Sequence, residues 1–153
     1  MGTLDGVVVE PLSVIKHPKG DILHALKENE KAYLGFGEVY FSTIHFSEVK
    51  GWKKHTRMNM NLLVPEGEVR IVICDEELNR STGAGFQVVQ LSRGNYARVT
   101  IPCGLWVAFQ GVSQGTNLLM NFADIMHDPE ESISVPLEDI DFDWSLNEEY
   151  SSF

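Results

Sequence analysis

A chain of 153 residues with 22 acidic and 12 basic side chains carries a net charge of −10, which weighs against a nucleic-acid backbone as its main partner. Its 43% hydrophobic and 22% charged content suits one folded domain, residues 1–153, and argues against disorder. No run is apolar enough to span a bilayer and the N-terminus has no basic-then-apolar leader pattern, so a soluble, cytoplasmic protein without membrane association is expected.

In chain order, residues 7–12 and 13–16 read as extended, and HPKGD is a turn by its Pro and Gly. Residues 21–31 are expected to make one or two helical turns. Residues 38–46 are rich in aromatic and β-branched side chains and read as a strand. The next stretch, KGWKKHTRMNMNLLVPEGEVRIVICD from Lys50 to Asp75, is the most informative. From His55 its odd positions run His55, Arg57, Asn59, Asn61, and its even positions run Met58, Met60, Leu62, Val64. This period-2 alternation predicts one strand with a polar and an apolar face. The polar face either looks at bulk water or lines the wet interior of a closed barrel.

A PEG turn, a strand over 68–75, a polar loop at NRSTGAG, a strand over 86–91, an SRGN turn and strands over 96–101, 105–111 and 116–125 follow. Turn signals recur roughly every 8–12 residues, the spacing of an all-β sandwich or barrel. With roughly ten strands, the residues predict a jelly-roll barrel. The acidic tail, about 138–153, holds Phe142 and Trp144, which are expected to pack on the barrel exterior or on a partner subunit before the chain frays.

Four cations and no acid lie between Lys50 and Arg57, an island that could hold a small anion or form a solvated loop. Cys74 and Cys103 lie in apolar segments and are expected to be buried free thiols. Asn117 and Asn121 sit on a mostly apolar strand, where an amide is either a pocket group or a satisfied core group. Trp106 is expected to be a core or rim aromatic, and His17, His24, His45 and His127 mainly structural. No metal is expected at His55, because Arg57 follows where a second ligand would be needed.

Several motifs, in this order, resemble the cupin-fold dTDP-4-dehydrorhamnose 3,5-epimerase family, in particular its shorter, divergent members. VVVEPLSVIKHPKGDIL resembles the family's N-terminal strands and turn, and KGWKKH its catalytic-histidine segment. GEVRIVICD with RSTGAGFQVVQLS, then IPCGLWVAF and HDPEE, resemble its later motifs. The resemblance implies a cupin-type jelly-roll β-barrel (a double-stranded β-helix) with no cofactor and no metal. It implies a homodimer whose N-terminal strands, about residues 1–20, are exchanged, and a substrate that is a 4-keto hexose linked to a nucleoside diphosphate. His55 then matches the general base that removes a proton α to the ketone, a task suited to imidazole. Lys53 or Arg57 would stabilise negative charge, and Asn59, Asn61 and Asn121 would orient hydroxyls. Lys19, where the family has an arginine, would meet the nucleotide across the dimer, as would His24.

This chain departs from the family pattern at several places. The acid tyrosine falls at Asn121, the second histidine at Val107, and the family lysine near Met60 or Asn61. The segment carrying the base-orienting aspartate is shortened to LNEEYSSF. Two readings follow: a nucleotide-sugar epimerase or isomerase in which water or another side chain reprotonates, or a non-catalytic sugar-nucleotide or carbohydrate-binding cupin that has lost its acid. A sugar 3,4-ketoisomerase, a neighbour in the same fold, usually has paired histidines that this chain lacks.

Overall fold

Alternating apolar and polar side chains along much of the chain resolve into two facing antiparallel sheets. A computed structural model describes residues 2–146. The first sheet contains β1 (Val8–Pro11), β4 (Glu38–Thr43), β6 (Met60–Glu66), β9 (Ala97–Ile101) and β11 (Leu118–Ala123), in the order β1-β9-β6-β11-β4. The second contains β5 (Val49–His55), β7 (Glu68–Cys74), β8 (Phe86–Ser92), β10 (Trp106–Gly111) and β12 (Ser132–Ser134), in the order β12-β5-β10-β7-β8. A small hairpin, β2 (Val14–Ile15) with β3 (Ile22–Leu23), stands apart. This is the cupin jelly roll. Its core forms where inward side chains of the two sheets meet: Met60, Leu62 and Val64 from β6 lie in one buried cluster with Val69, Ile71 and Ile73 from β7 and Val99 and Ile101 from β9.

A second apolar cluster covers the outer face of the second sheet. Trp52, Val72, Cys74, Trp106 and Ala108 are buried there under Leu137, Ile140, Phe142 and Trp144 from the tail. The Trp52 and Trp144 rings lie 5.6 Å apart, and Trp52 Nε1 donates to the Leu137 carbonyl at 3.3 Å. The tail's aromatic rings thus pack on the barrel exterior; its expected fraying concerns residues 147–153, outside the described residues. Because Trp52 anchors β5 from behind, the residues beside it are free to face the barrel interior.

The structure corrects several expectations. Residues 21–31, expected to make one or two helical turns, form none: Ile22–Leu23 is β3, and residues 24–36 are irregular. Their carbonyls are taken by side chains from the first sheet's outer face: Tyr96 Oη donates to His24, Arg98 Nη1 to Ala25 and Asn61 Nδ2 to Ala32, at 2.7–2.8 Å. The region read as a polar loop begins as a helix, α1 (Glu76–Thr82). Asp75 caps its N-terminus by accepting from Leu78 N, and Gly83 ends it at φ 71°, a left-handed conformation that glycine tolerates. Cys74 is buried and Cys103 exposed, both unpaired as thiols. Among the described residues no helix is long and apolar enough to cross a membrane.

The correction with most bearing on function concerns the single strand expected from His55. It is two strands: β5 ends at His55, residues 56–59 cross from one sheet to the other, and β6 starts at Met60. The crossing resets which parity faces inward. On β5 the inward residues include Lys53 and His55; on β6 they are Met60 and Leu62.

Candidate active site

Between the two sheets lies a cavity of about 290 Å³. One wall comes from β5 and β10, with Lys50, Lys53, His55, Val107 and Phe109; the other comes from β4, β6 and β11, with Tyr40, Ser42, Met60, Leu62, Leu119 and Asn121. A shift in register between β5 and β10, where Val107 pairs with Lys53 and Phe109 with Lys50, brings both lysines to the cavity. Gly51 between them lies so close to Ala108 that a Cβ would collide with its side chain. Lys50 and Lys53 are exposed, so the cavity opens to solvent beside two positive charges.

His55 closes the deep end of this wall and is only 9% exposed. Its Nδ1 pairs with Glu131 Oε1, and Glu131 is itself 3% exposed. A 3₁₀ turn, Pro129–Glu131, delivers that carboxylate; Asp128 caps the turn by accepting from Glu130 N at 3.0 Å. The second carboxylate oxygen accepts from Arg57 N at 3.2 Å and Met58 N at 3.1 Å, two donors left without strand partners by the crossing. Burial works against ionisation of Glu131, but hydrogen bonds from His55, Met58 and Arg57 outweigh it and hold the carboxyl below its ordinary range. With Nδ1 committed to Glu131, Nε2 is the imidazole nitrogen left for chemistry.

Across the cavity, Asn121 on β11 lies directly opposite Tyr40 on β4, and its Nδ2 donates to Tyr40 Oη at 2.9 Å. Asn121 is 3% exposed, whereas Tyr40, on an edge strand, is 40% exposed. Because Tyr40 Oη accepts that bond, its own proton is available to another acceptor. A phenol therefore stands next to the amide that occupies the family's tyrosine position.

Of the residues predicted from sequence, His55, Lys53 and Asn121 come together at the cavity. Arg57, Asn59, Asn61 and Lys19 do not. Arg57 Nη2 pairs with Asp128 at 2.8 Å on the surface, and Asn59 is tied to Asp124 by its backbone N and its Nδ2, each at 2.8 Å. Asn61 faces outward, bonded to Ala32 O and Thr100 Oγ1. Lys19 sits exposed in the turn between β2 and β3. Trp106 belongs to the outer cluster, where its Nε1 donates to Glu76 at 2.8 Å. Sequence reasoning missed Tyr40 and Lys50 as cavity groups and Glu131 as the partner of His55. For Glu131 a signal existed, since Asp-Pro-Glu-Glu is a capped-turn sequence, but nothing local names its partner 76 residues away.

The fold, with one carboxylate-held imidazole, a phenol across the cavity and two lysines on its wall, is that of a cupin; among the described residues no three His, Cys, Asp or Glu side chains cluster to hold a metal. The fold and sequence match a dTDP sugar isomerase from Desulfovibrio desulfuricans G20, at 32% identity over 92% of this chain and 91% of that one, with a TM-score of 0.83. The chain belongs to this family of dTDP-sugar isomerases, the dTDP-4-dehydrorhamnose 3,5-epimerase-like cupins. The dTDP-4-dehydrorhamnose 3,5-epimerase from Elizabethkingia anophelis NUHP1 shares the fold at 18% identity, covering 99% of this chain and 87% of that one, TM-score 0.75. So does a sugar 3,4-ketoisomerase from Thermoanaerobacterium thermosaccharolyticum crystallised with TDP, at 16% identity, covering 86% and 89%, TM-score 0.71. No protein-family model and no curated protein matches the chain.

Proposed function

We propose that the protein is a nucleotide-sugar isomerase or epimerase that acts on a 4-keto hexose linked to a nucleoside diphosphate. The observation that carries this reading is His55, a buried imidazole held at Nδ1 by Glu131 and lining a cavity with lysines at its mouth. His55 Nε2 takes the proton α to the ketone. The electrons of the broken C–H bond form a carbon–carbon double bond, and the carbonyl π pair moves onto oxygen. Tyr40 donates its hydrogen bond to that oxygen as charge develops there. Return of a proton to the same carbon gives an epimer; protonation of the former carbonyl carbon, with the vicinal hydroxyl proton passing to the former carbonyl oxygen through the enediol, gives a shifted ketone. The imidazolium gives its proton to carbon directly, or to the hydroxide left when water protonates carbon, and His55 returns to its neutral form. Lys50 and Lys53 attract and hold the diphosphate. No metal or cofactor is required by this sequence of steps.

The competing reading, a binding cupin without an acid, rested on Asn121 and Val107 standing where a tyrosine and a second histidine are expected. Tyr40, hydrogen-bonded to Asn121 at the cavity, supplies a hydroxyl from the neighbouring strand and favours the enzyme. Incubation with a dTDP-linked 4-keto hexose, followed by NMR, is expected to yield a new nucleotide sugar. An unchanged spectrum at stoichiometric protein would count against catalysis and leave the binding role.

The assembly we propose is a homodimer. β1 is an edge strand with Val8 and Val9 exposed, and Ile15 and Ile22 of the neighbouring hairpin are exposed too. Unprotected apolar edges of this kind are usually covered. Light scattering at micromolar concentration is expected to give twice the chain mass; a monomer contradicts the proposal.

A further inference from the structure

Two asparagines of β11 and its approach have opposite fates. Asn117 is fully satisfied: its Oδ1 accepts from Glu68 N at 2.9 Å and Ser113 N at 3.2 Å, and its Nδ2 donates to Ile44 O at 3.0 Å and Ser113 O at 2.8 Å. Asn121 is almost as deeply buried, yet only its Nδ2 is used, toward Tyr40 Oη and more weakly Met58 Sδ. Its Oδ1 is buried and receives no hydrogen bond among the described residues. Buried amide oxygens without a donor are uncommon in folded proteins, because leaving one unmade forfeits hydration with nothing in return. Asn117 shows that this fold satisfies such a group where the role is architectural.

Asn121 lines the cavity beside Tyr40 and Leu119, with Met60 and Leu62 on the next strand. Leu119, Met60 and Leu62 offer no donor, and the Tyr40 hydroxyl sits at Asn121 Nδ2 rather than at Oδ1. What remains is a ligand donor reaching Oδ1 from the cavity. The adjacent Tyr40 oxygen is occupied as an acceptor by Asn121 Nδ2, so toward a ligand it acts as a donor. The pair therefore presents a donor and an acceptor side by side on one wall. Their complement is a carbonyl next to a carbinol: the ketone oxygen accepts from Tyr40 while the neighbouring hydroxyl donates to Asn121.

We propose that Asn121 is a specificity-determining residue whose Oδ1 accepts the hydroxyl vicinal to the substrate ketone, so that the site selects α-hydroxyketones. This rests on the keto-sugar reading above and adds to it which substrate group is read, and by which atom. A sugar lacking that hydroxyl leaves Oδ1 buried and unpaired in the complex. A site built to bond a hydroxyl discriminates strongly against the deoxy analogue for this reason, whereas a merely apolar wall does not.

The test compares two ligands on the unmodified protein: dTDP-4-keto-6-deoxyglucose, a nucleotide sugar also seen bound to a variant of the Thermoanaerobacterium ketoisomerase, and its counterpart lacking the 3-hydroxyl. Calorimetry is expected to show the deoxy compound bound roughly 10- to 100-fold more weakly. In Asn121→Leu that ratio is expected to fall close to one, whatever the change in absolute affinity. Equal binding of the two ligands by the wild-type protein, or an unchanged ratio in a folded Asn121→Leu, overturns the inference while leaving the keto-sugar reading intact. Binding of neither ligand overturns both. Should Asn121→Leu fail to fold, the wild-type pair of measurements decides alone.

Discussion

Replacing His55 by asparagine is expected to lower kcat by about 10²–10⁴-fold on a dTDP-linked 4-keto hexose, with KM little changed. Asparagine keeps a polar side chain that can still meet Glu131, so the fold survives while the cavity loses its one imidazole among the described residues. Initial rates followed by NMR check this. A variant with near wild-type kcat would remove His55 from the chemistry, because among the cavity-lining residues the others are lysines, a tyrosine, serines, an asparagine and apolar side chains. Ammonium groups are poor bases at neutral pH, and a phenol is little better. A rise in KM alone would instead mark His55 as a binding group.

Glu131→Gln is expected to have the next largest effect, roughly 10²-fold on kcat, through loss of the group that orients the base. The carboxylate has two tasks. One oxygen fixes the His55 tautomer with the proton on Nδ1, and the other takes the Arg57 and Met58 amides at the strand crossing. Glutamine has one oxygen and one N–H group to offer, so it serves one task at the expense of the other. The pH dependence of stability follows with a definite sign. The folded-state Glu131 pKa lies below its ordinary value, so its contribution is complete above the unfolded-state value and is lost as pH falls through the folded one. Urea denaturation is therefore expected to show the wild type losing stability between neutrality and pH below about 4. Glu131→Gln should lose less over the same range. Parallel losses in the two proteins would mean that other carboxylates govern the acid limb.

How much of this was legible in the sequence depends on whether the determining contacts are local. The barrel was, because turn residues and β-branched or aromatic runs are local signals: PEG, SRGN and the stretch at 38–46 each act over a few residues. The tail's docking rings, Phe142 and Trp144, stood out against their acidic surroundings in the same way. The polar face beginning at His55 misled. Alternation runs through residues 57–62 across the strand break, but the chain changes sheets at 56–59, so the same parity faces the cavity before the crossing and away from it afterwards. Asn59 and Asn61 bond to Asp124 and Ala32, away from the cavity.

The orienting carboxylate and the phenol were illegible for a different reason. Glu131 and His55 are 76 residues apart, and Tyr40 and Asn121 are 81 apart; only the closing of the sheets brings each pair together. A local hint did exist on β4, where the polar Ser42 faces the cavity while the apolar Phe41 is exposed, an inversion of the usual polar-out pattern. Such an inversion marks a sheet whose interior holds something other than hydrocarbon. Distance in sequence hid the rest.

If His55 exchanges the hydrogen next to a sugar ketone, substrate deuterated at that carbon will reveal it. NMR of a dTDP-linked 4-keto hexose so labelled should show the deuterium lost to solvent or moved to the neighbouring carbon with wild-type protein, and left in place with His55→Asn. Deuterium that stays at its original carbon in the wild-type complex, with the nucleotide sugar demonstrably bound, would contradict the account.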